Sequence, residues 1–284
     1  MPELPEVEVL VRHLGPLIKG KTIRAVEVRR ARVLAPTSEA EFSAGLIGAT
    51  FGGLSRRGKY LLFTLERPAP REPLLLVGHL GMTGRIYLLP NAAPLPTHAA
   101  VVMSLGDTRF VYEDTRYFGR LTLDPSGPAK LGPEPFAKEF TAASFAASLK
   151  RSTQAVKIRL LDQTMVAGVG NIYASESLFL AGISPRLTAR RLRPEQVVAL
   201  RRAIRLVLNV AIRRGSTLPL DFSGAEGRDG LFYYGGFTGA GETGSELLRV
   251  YDREGLPCLK CGTAIKRIVQ AARATFFCPR CQRG

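Results

Sequence analysis

Three features are missing from this 284-residue sequence, and each absence narrows the class of protein. No apolar run reaches the length of about 20 residues that a transmembrane helix needs. The N-terminus lacks the Lys/Arg start and the apolar core of a secretory signal peptide, so we expect a cytoplasmic protein with no membrane partner. Cysteine is missing from the first 257 residues, which argues against a disulfide framework.

Acidic residues are few for the number of basic ones. The 24 Asp and Glu residues face 40 Lys and Arg residues, which gives a formal net charge of +16. This balance indicates a polyanionic partner, and nucleic acid is the commonest one. A basic ribosomal or membrane-surface protein would have the same balance, so charge alone does not decide. The length allows two domains with cores of their own.

All four cysteines lie close to the C-terminus. They form two C-x-x-C pairs separated by sixteen residues: Cys258, Cys261, Cys278 and Cys281. Two such pairs predict a closed tetrahedral site for one structural Zn²⁺, with redox-active pairs as the alternative. The basic residues between the pairs (Lys266, Arg267 and Arg273) predict a β-hairpin finger with a basic tip.

The two parts of the sequence have different periodicities. In the first 130 residues, short β-branched or aromatic segments between turn residues predict the strands of a β-sandwich: 22–28, 59–65, 74–77, 100–103 and 109–112. Residues 125–135, rich in Gly and Pro, predict a linker. From about Thr141 the spacing becomes helical, with helices around Val156, over 171–181 and from Pro194 onwards.

The N-terminal stretch Pro2-Glu3-Leu4-Pro5-Glu6-Val7-Glu8 carries candidate chemistry. If Met1 is removed, Pro2 becomes a secondary amine that attacks aldehyde-like carbons and forms an iminium. Carboxyl groups flanking such an amine supply proton transfer and charge stabilisation. The alternative is a plain helix start, because apolar residues follow at helical spacing before Gly15.

This stretch resembles the N-terminal signature of the bacterial formamidopyrimidine-DNA glycosylases, and later motifs agree in order over nearly the whole chain. The resemblance implies an α+β fold in four parts. These are an N-terminal helix with a catalytic β-sandwich domain (1–131), a linker and first helix (132–150), a helix-two-turn-helix DNA-binding domain with a base-capping loop (151–255), and a four-cysteine β-hairpin zinc finger (256–284).

The resemblance also implies catalytic roles. Pro2 would be the Schiff-base nucleophile and Glu3 an acid/base, with Glu6 and Glu176 in supporting positions. Lys59, in Arg56-Arg57-Gly58-Lys59-Tyr60, would support catalysis and contact DNA, although such a run is more often a solvated strand entry. Arg273 would contact the phosphate beside the lesion and assist the second elimination.

Further motifs resemble the DNA contacts of the family. The segment from His79 to Gly84 resembles the loop whose methionine fills the space of the extruded base, here Met82, which unaided reasoning would place in the core. The segment from Asp114 to Gly119 resembles the loop whose arginine reads the orphaned cytosine and whose phenylalanine wedges the stack. The implied DNA-contacting residues are Met82, His98, Arg116, Phe118, Arg151, Lys157 and Asn171.

Two glycine-rich segments allow more than one interpretation. The loop before Asn171 (Val166 to Gly170) could offer backbone N–H groups to a phosphate, but a packing turn is the commoner use of such a sequence. Residues 213–250 are too glycine-rich for a regular element, and the resemblance places the base-capping loop there. Asp252 stands where the family more often has glycine.

The sequence therefore predicts a bifunctional DNA glycosylase and AP lyase for oxidised purines, with 8-oxoguanine opposite cytosine and formamidopyrimidines as leading substrates. The partner would be double-stranded DNA containing oxidised bases or abasic sites, and the protein a nucleoid-associated monomer. The resemblance implies no redox cofactor or catalytic metal. Two alternatives remain: an endonuclease VIII-type enzyme for oxidised pyrimidines, and a non-catalytic zinc protein that binds damaged DNA.

Overall fold

A computed structural model of the chain describes residues 2–68, 72–215 and 248–283, and the backbone alone of residues 220–221 and 233–234. Among these residues the chain divides into two units. The first contains Pro2, Glu6–Ala129 and the described backbone of residues 220–221 and 233–234. The second contains Glu3–Pro5 and residues 130–215 and 248–283.

Helices and strands alternate irregularly along the chain, as in an α+β fold. The helices are α1 (Leu4–Ile18), α2 (Glu39–Leu46), α3 (Ser126–Ala129), α4 (Ala142–Lys150), α5 (Val156–Leu160), α6 (Asn171–Leu180) and α7 (Pro194–Arg213), with short 3₁₀ helices at Ala31–Leu34 and Ala189–Arg191. The strands are β1 (Ala25–Val28), β2 (Thr50–Arg57), β3 (Tyr60–Glu66), β4 (Leu74–His79), β5 (Gly84–Pro90), β6 (Ala99–Ser104), β7 (Thr108–Asp114), β8 (Arg120–Thr122), β9 (Leu220–Asp221), β10 (Tyr233–Tyr234), β11 (Lys266–Gln270) and β12 (Arg273–Phe277).

The predicted base-capping loop lies for the most part outside the described residues. Within it, the backbone of β9 pairs antiparallel with that of β10, so Tyr233 faces Asp221. The expectation that residues 213–250 hold no regular element is therefore wrong for this short ladder.

The first unit contains the β-sandwich that the sequence predicts. One antiparallel sheet has the order β2-β3-β4-β8 and the other the order β1-β6-β7-β5. Phe51 and Phe63 of the first sheet meet Phe110 of the second, with ring centroids 5.8 and 5.6 Å apart. Alternate residues of β3 (Leu61, Phe63 and Leu65) are fully buried, as the period of two in a half-buried strand requires.

Three differences from the predicted elements have local causes. Strand β2 was not predicted, because Gly52 and Gly53 interrupt its apolar pattern where the pairing with β3 shifts register. Helix α1 continues past Gly15 to Ile18, because Ile18 is completely buried in the sandwich core. The predicted linker contains α3, whose start is held by the Asp124 carboxylate, 2.9 Å from the Ser126 amide N–H that it accepts.

The second unit is helical, and its longest helix has the predicted apolar stripe. The buried residues of α7 are Val197, Leu200, Ala203, Ile204, Val207, Leu208 and Ala211. Helix α6 differs, because every residue from Ile172 to Phe179 is buried. A helix enclosed on all sides must find partners inside the protein for its polar side chains and its N-terminal amides.

The C-terminal segment forms the predicted hairpin. Strands β11 and β12 pair antiparallel from Lys266 opposite Phe277 to Gln270 opposite Arg273. Ala271 and Ala272 connect them with φ angles of +48° and +57°. No helix within the described residues combines the length and the apolar character needed to cross a membrane.

Candidate active site

The Glu3 carboxylate caps the N-terminus of α6. It accepts the N–H groups of Gly170 at 2.7 Å, Ile172 at 2.8 Å and Tyr173 at 3.3 Å. Glu3 is 1% exposed, so this buried anion takes up amides that no helical carbonyl can satisfy. The carboxylate next to Pro2 is thus held in one orientation by the backbone of α6.

The glycine-rich turn before α6 is shaped by this contact. A Cβ added to Gly170 would lie 2.5 Å from Oε1 and 2.7 Å from Cγ of Glu3, and one added to Gly168 would lie 2.6 Å from Cβ of Leu4. The Leu4 N–H also donates to the Gly168 carbonyl at 3.1 Å. These glycines serve close packing, the commoner of the two uses that the sequence allows, and the Gly170 amide donates to Glu3.

Three residues predicted to contact phosphate come together although up to 116 positions separate them. Lys157 donates to Asn171 Oδ1, to the Ala274 carbonyl at 3.2 Å and to Thr275 Oγ1 at 2.7 Å, and it is 0% exposed. Asn171 Nδ2 donates to the same Ala274 carbonyl at 2.9 Å. Burial lowers the pKa of Lys157 to about 8, and the nearby charge of Arg273 adds to the shift.

Lys157 therefore ties the start of α6 to the strand that begins with Arg273, whose own side chain is exposed. The ammonium has three protons, and all three go to acceptors of this chain. Asn171 and Arg273 remain more accessible than Lys157.

Glu176, a buried residue of α6, holds the backbone of the segment from Arg249 to Tyr251. Its carboxylate accepts the N–H groups of Arg249 and Val250 at 2.9 Å and of Tyr251 at 3.0 Å. Burial raises the pKa of Glu176, while the three amides and the Arg249 guanidinium oppose the shift. The Tyr251 side chain is hydrogen-bonded to Asn171, so Glu176 is connected to the Asn171 cluster through the backbone it holds.

In the first unit, Pro2 and Glu6 are buried, Glu6 to 1% exposure. Lys59 lies in the turn between β2 and β3, after Gly58 with φ of +57°, and is 7% exposed. The predicted turn lysine is thus a largely buried residue of a tight hairpin rather than part of a solvated charge run.

His79, at the end of β4, is a neighbour of Lys59 that the sequence analysis did not single out. Its Nδ1 accepts the Gly81 N–H at 3.1 Å, which leaves the ring proton on Nε2. Burial lowers the pKa of His79 to about 4, with further lowering by the charges of Lys59 and Arg120. His79 is therefore neutral at pH 7.

Two loops next to each other carry the exposed side chains that the resemblance assigns to DNA. Met82 is 45% exposed and Phe118 is 49% exposed, which excludes the core position that unaided reasoning gives Met82. The Arg116 guanidinium lies 4.8 Å from the centre of the Phe118 ring. Apolar side chains displayed on a surface beside an arginine suit insertion into a base stack.

His98 and Arg151 are the remaining residues that the resemblance assigns to DNA contacts. His98 is partly buried, and its Nδ1 lies 3.5 Å from the Tyr117 hydroxyl oxygen. Tyr117 is the residue between Arg116 and Phe118 in the sequence, and its φ is +53°. Arg151 is exposed at the C-terminal end of α4, in the second unit.

The four cysteines form one cluster. The Sγ atoms of Cys258, Cys261, Cys278 and Cys281 all lie within 4.8 Å of one another. The Cys258–Cys281 and Cys261–Cys278 Sγ pairs are 3.9 and 3.5 Å apart, close to the roughly 3.8 Å that tetrahedral zinc with bonds of about 2.3 Å requires. The thiolates thus fit one structural zinc ion, with no position left for a substrate.

Three known protein-family models match successive parts of the chain. Residues 1–121 match the formamidopyrimidine-DNA glycosylase N-terminal domain, residues 131–221 the H2TH domain of the same enzymes, and residues 255–284 the zinc finger found in FPG and IleRS. This chain belongs to the formamidopyrimidine-DNA glycosylase family.

Individual members of the family align over the full chain. The formamidopyrimidine-DNA glycosylase of Symbiobacterium thermophilum is 43% identical, with 99% of this chain and 89% of the relative covered. A Lactococcus lactis family member bound non-covalently to DNA containing an AP site has a TM-score of 0.84 at 34% identity, with 99% of this chain and 100% of that chain covered. A MutM structure with DNA containing carbocyclic 8-oxo-G has a TM-score of 0.86 at 34% identity, with full coverage of both chains.

Two further residues shape this glycosylase site, and the sequence did not reveal the role of either. Gln163 organises the turn before α6: its Nε2 donates to the Val169 carbonyl at 2.7 Å and its Oε1 accepts the Gly168 N–H at 2.9 Å. Asp252, where the family more often has glycine, has a φ of +58°, the left-handed region that favours glycine. The sequence shows that Asp252 replaces the usual glycine, but it does not show the left-handed backbone conformation at this residue.

Proposed function

We propose that this protein is a base-excision repair enzyme, a bifunctional DNA glycosylase and AP lyase that removes oxidised purines from double-stranded DNA. Solved relatives bind DNA containing carbocyclic 8-oxo-G, Fapy-dG or an AP site. A net charge of +16 favours the same polyanionic partner, and we place the enzyme on nucleoid DNA in the bacterial cytoplasm. The observation that carries the proposal is the Glu3 carboxylate, fixed by three amides directly beside Pro2.

The chemistry starts from the amine of Pro2 after removal of Met1. Its nitrogen attacks C1′ of the extruded nucleotide, the bond from C1′ to the base breaks, and the base leaves with a proton. Glu3 transfers protons at this centre. Proton transfer to O4′ then breaks the C1′–O4′ bond, which opens the sugar ring and leaves an iminium between Pro2 and C1′. The iminium acidifies the C2′ proton, whose loss breaks the C3′–O bond, and a second elimination breaks the C5′–O bond. The strand is nicked on both sides of the lesion.

The surrounding residues bind and position DNA. Asn171 and Arg273 contact the phosphates beside the lesion. Lys157 donates hydrogen bonds to Asn171 and to the carbonyl of Ala274, the residue after Arg273, and adds positive charge near both. Lys59, Arg151 and His98 add further DNA contacts. Met82 and Phe118 enter the base stack, and Arg116 contacts the orphaned cytosine through the hydrogen-bonding edge of the base.

Borohydride trapping tests the covalent step. Protein freed of Met1 is incubated with a duplex carrying one 8-oxoguanine opposite cytosine, reduced, and digested to map the adduct. We expect an adduct on Pro2 that is lost or much reduced in Pro2→Gly. Glu3→Gln should slow base release by about 10²- to 10⁴-fold, the usual contribution of general acid–base catalysis.

The same assay separates the alternatives. Adducts formed only with oxidised-pyrimidine duplexes would indicate an endonuclease VIII-type substrate range while leaving the Pro2 chemistry intact. Tight binding to damaged DNA without any adduct, including on a preformed abasic site, would indicate a non-catalytic binding protein. An adduct that maps to a lysine and persists in Pro2→Gly would refute the role of Pro2.

A further inference from the structure

Asp114, the last residue of β7, is a buried carboxylate to which the proposed chemistry assigns no task. Its exposure is 0%. It lies opposite Gly84 at the ends of β7 and β5, where one loop arrives from Leu80 and another leaves towards Gly119. Burying an ionisable group at a loop junction is costly unless the group is well hydrogen-bonded, so its partners indicate what it is for.

The carboxylate collects donors from both loops. Oδ1 accepts the Thr83 hydroxyl at 2.6 Å and the Arg116 N–H at 3.2 Å, and Oδ2 accepts the Gly119 N–H at 2.8 Å. The Thr83 hydroxyl also lies 3.3 Å from the Arg116 N–H. One side chain thereby joins the loop of Met82 to the loop of Arg116.

The two loop backbones touch where they are joined. A Cβ added to Gly81 would lie 2.6 Å from the Gly119 nitrogen and 2.8 Å from the Phe118 carbonyl carbon. A Cβ on Gly119 would collide with the Tyr112 hydroxyl and lie 2.6 Å from the His79 carbonyl oxygen. Both glycines are required by close approach, so the spacing of the loops is set by backbone contact and by the Asp114 hydrogen bonds.

We infer that Asp114 and Thr83 form a loop bracket, a hydrogen-bonded pair of side chains that fixes the Met82 loop relative to the Arg116–Phe118 loop. Because the loops are fixed, Met82 fills the space of the extruded base at the same time as Phe118 wedges the stack and Arg116 reads the opposite base. The inference rests on the proposed function. Asp114 and Thr83 are positioning residues, because they act through side chains on either side of them. Loosening the loop bracket should therefore slow base extrusion and weaken opposite-base discrimination while sparing the chemistry at Pro2.

Thr83→Val tests this with little change of shape, because it replaces one hydroxyl by a methyl group. Thr83→Ser keeps the hydroxyl and is the rescue variant. Thr108→Val is the matched control, on the same strand as Asp114, because the buried Thr108 hydroxyl has no hydrogen-bond partner among the described residues. Asp114→Asn is the stronger variant, and the Thr83 pair keeps the test decisive if that variant fails to fold.

Three rates are measured for each protein. Fluorescence of a 2-aminopurine beside 8-oxoguanine reports unstacking, single-turnover excision is compared opposite cytosine and opposite adenine, and lyase activity is followed on a single-stranded oligonucleotide with an abasic site. We expect Thr83→Val to slow unstacking and excision by about tenfold or more, since misplacing a binding group by about 1 Å costs up to about 100-fold. Its preference for cytosine should shrink, and its single-strand lyase rate should stay within about twofold of wild type.

Thr83→Ser and Thr108→Val should match wild type in all three measurements. Wild-type rates of unstacking and an unchanged cytosine preference in Thr83→Val would overturn the loop bracket. An equal loss of single-strand lyase activity would overturn it too, because the damage would then reach the catalytic centre. A wild-type protein that excises neither opposite cytosine nor opposite adenine would sink the proposed function, and the loop bracket with it.

Discussion

At the scale of single residues, Glu3 is both the proposed acid/base and the cap of a helix. The Glu3 carboxylate is supported by the backbone of α6 at Gly170, Ile172 and Tyr173. Amides of a helix end are rigid donors, because the helix itself holds them. The position of the proposed acid/base therefore depends on residue 170 having no side chain.

Gly170→Ala tests this dependence. The added Cβ would displace the Glu3 carboxylate, so we expect base excision to fall by about 100-fold or more, the lower range for loss of a general acid or base. The free energy of unfolding should drop by about 1–3 kcal/mol, as for other overpacked sites. Single-turnover excision and urea unfolding measure the two effects.

The matched control for this variant is Gly53→Ala. A Cβ at residue 53 would meet nothing within 4 Å, and its φ lies outside the left-handed region. This variant should excise like wild type. Equal losses in both variants would mean that the effect of Gly170→Ala is general to glycine replacement and does not arise at Glu3.

His79 gives a prediction about pH. Its pKa is about 4 in the folded protein against an ordinary value of 6.5, so the folded state binds the proton more weakly than the unfolded chain. The stabilisation is present above pH 6.5 and is lost as the pH falls through about 4. At about 1.4 kcal/mol per pKa unit, the contribution of His79 to the free energy of unfolding is at most about 3 kcal/mol, and partial solvent contact reduces this contribution.

Urea unfolding between pH 7 and pH 4 should therefore show a steeper loss of stability in wild type than in His79→Gln, whose amide oxygen can still accept the Gly81 N–H. Parallel curves for the two proteins would show that His79 does not titrate in this range.

At the scale of elements, the finger hairpin contains two strained positions. Ala271 and Ala272 both adopt left-handed φ angles, which cost roughly 1–2 kcal/mol per non-glycine residue. Tight two-residue hairpin turns with such angles favour Asn-Gly or Gly-Gly. Since Arg273 follows directly, the strained turn also presents a proposed phosphate contact.

Ala271→Gly and Ala272→Gly should each stabilise the hairpin, by somewhat less than 1–2 kcal/mol because glycine also gains about 0.5–1 kcal/mol of unfolded-state entropy. Slower amide exchange in β11 and β12 and slower zinc release to a chelator would report the gain. Ala274→Gly, in extended backbone of the same strand, should have the opposite effect. Amide exchange in β11 and β12 that is faster in Ala271→Gly than in wild type would contradict the proposed strain at residue 271.

The same scale shows what sequence alone could predict. Strands β1, β3, β4, β6 and β7 of the sandwich, the starts of α6 and α7 and the finger hairpin follow from periodicity and turn residues, because these signals are local, whereas β5 was not predicted. The four-cysteine cluster follows from spacing, because zinc has a strict geometry. Strand β2 was missed, since Gly52 and Gly53 remove the alternation on which the strand signal depends.

The site was less predictable, because its contacts are distant in sequence. The resemblance pointed to Lys157, Asn171 and Arg273, but not to the Ala274 carbonyl that joins Lys157 to Asn171. The capping of α6 by Glu3 spans more than 160 positions, and no periodic signal reaches that far. Asp114 and Thr83 had no individual signal either, because each is an ordinary residue in a loop motif.

At the scale of the whole molecule, a charge of +16 predicts salt-sensitive DNA binding. The logarithm of the affinity should fall linearly with the logarithm of the salt concentration, with a slope of about −0.9 per phosphate contact. Arg273→Ala should reduce the slope by about one unit, equally for damaged and undamaged duplexes. Arg205→Ala, a charge-matched control on α7, should leave the slope unchanged. A lesion-dependent change in slope would argue against a plain phosphate contact at Arg273.

The capping of α6 by Glu3 also bears on how the sequence can vary. The first residues of most chains tolerate substitution and extension well, because little of the fold depends on them. Here Glu3 fills the space that Gly170 leaves open and Leu4 fills the space that Gly168 leaves open, so a change at either glycine is acceptable only with a compensating change at its partner. In a mutant library randomised over these positions, few single substitutions should keep the protein active. The active double mutants should combine particular residues at the two partner positions. Directed evolution towards new lesions therefore has more freedom at the exposed side chains of Met82 and Phe118 than at the start of the chain.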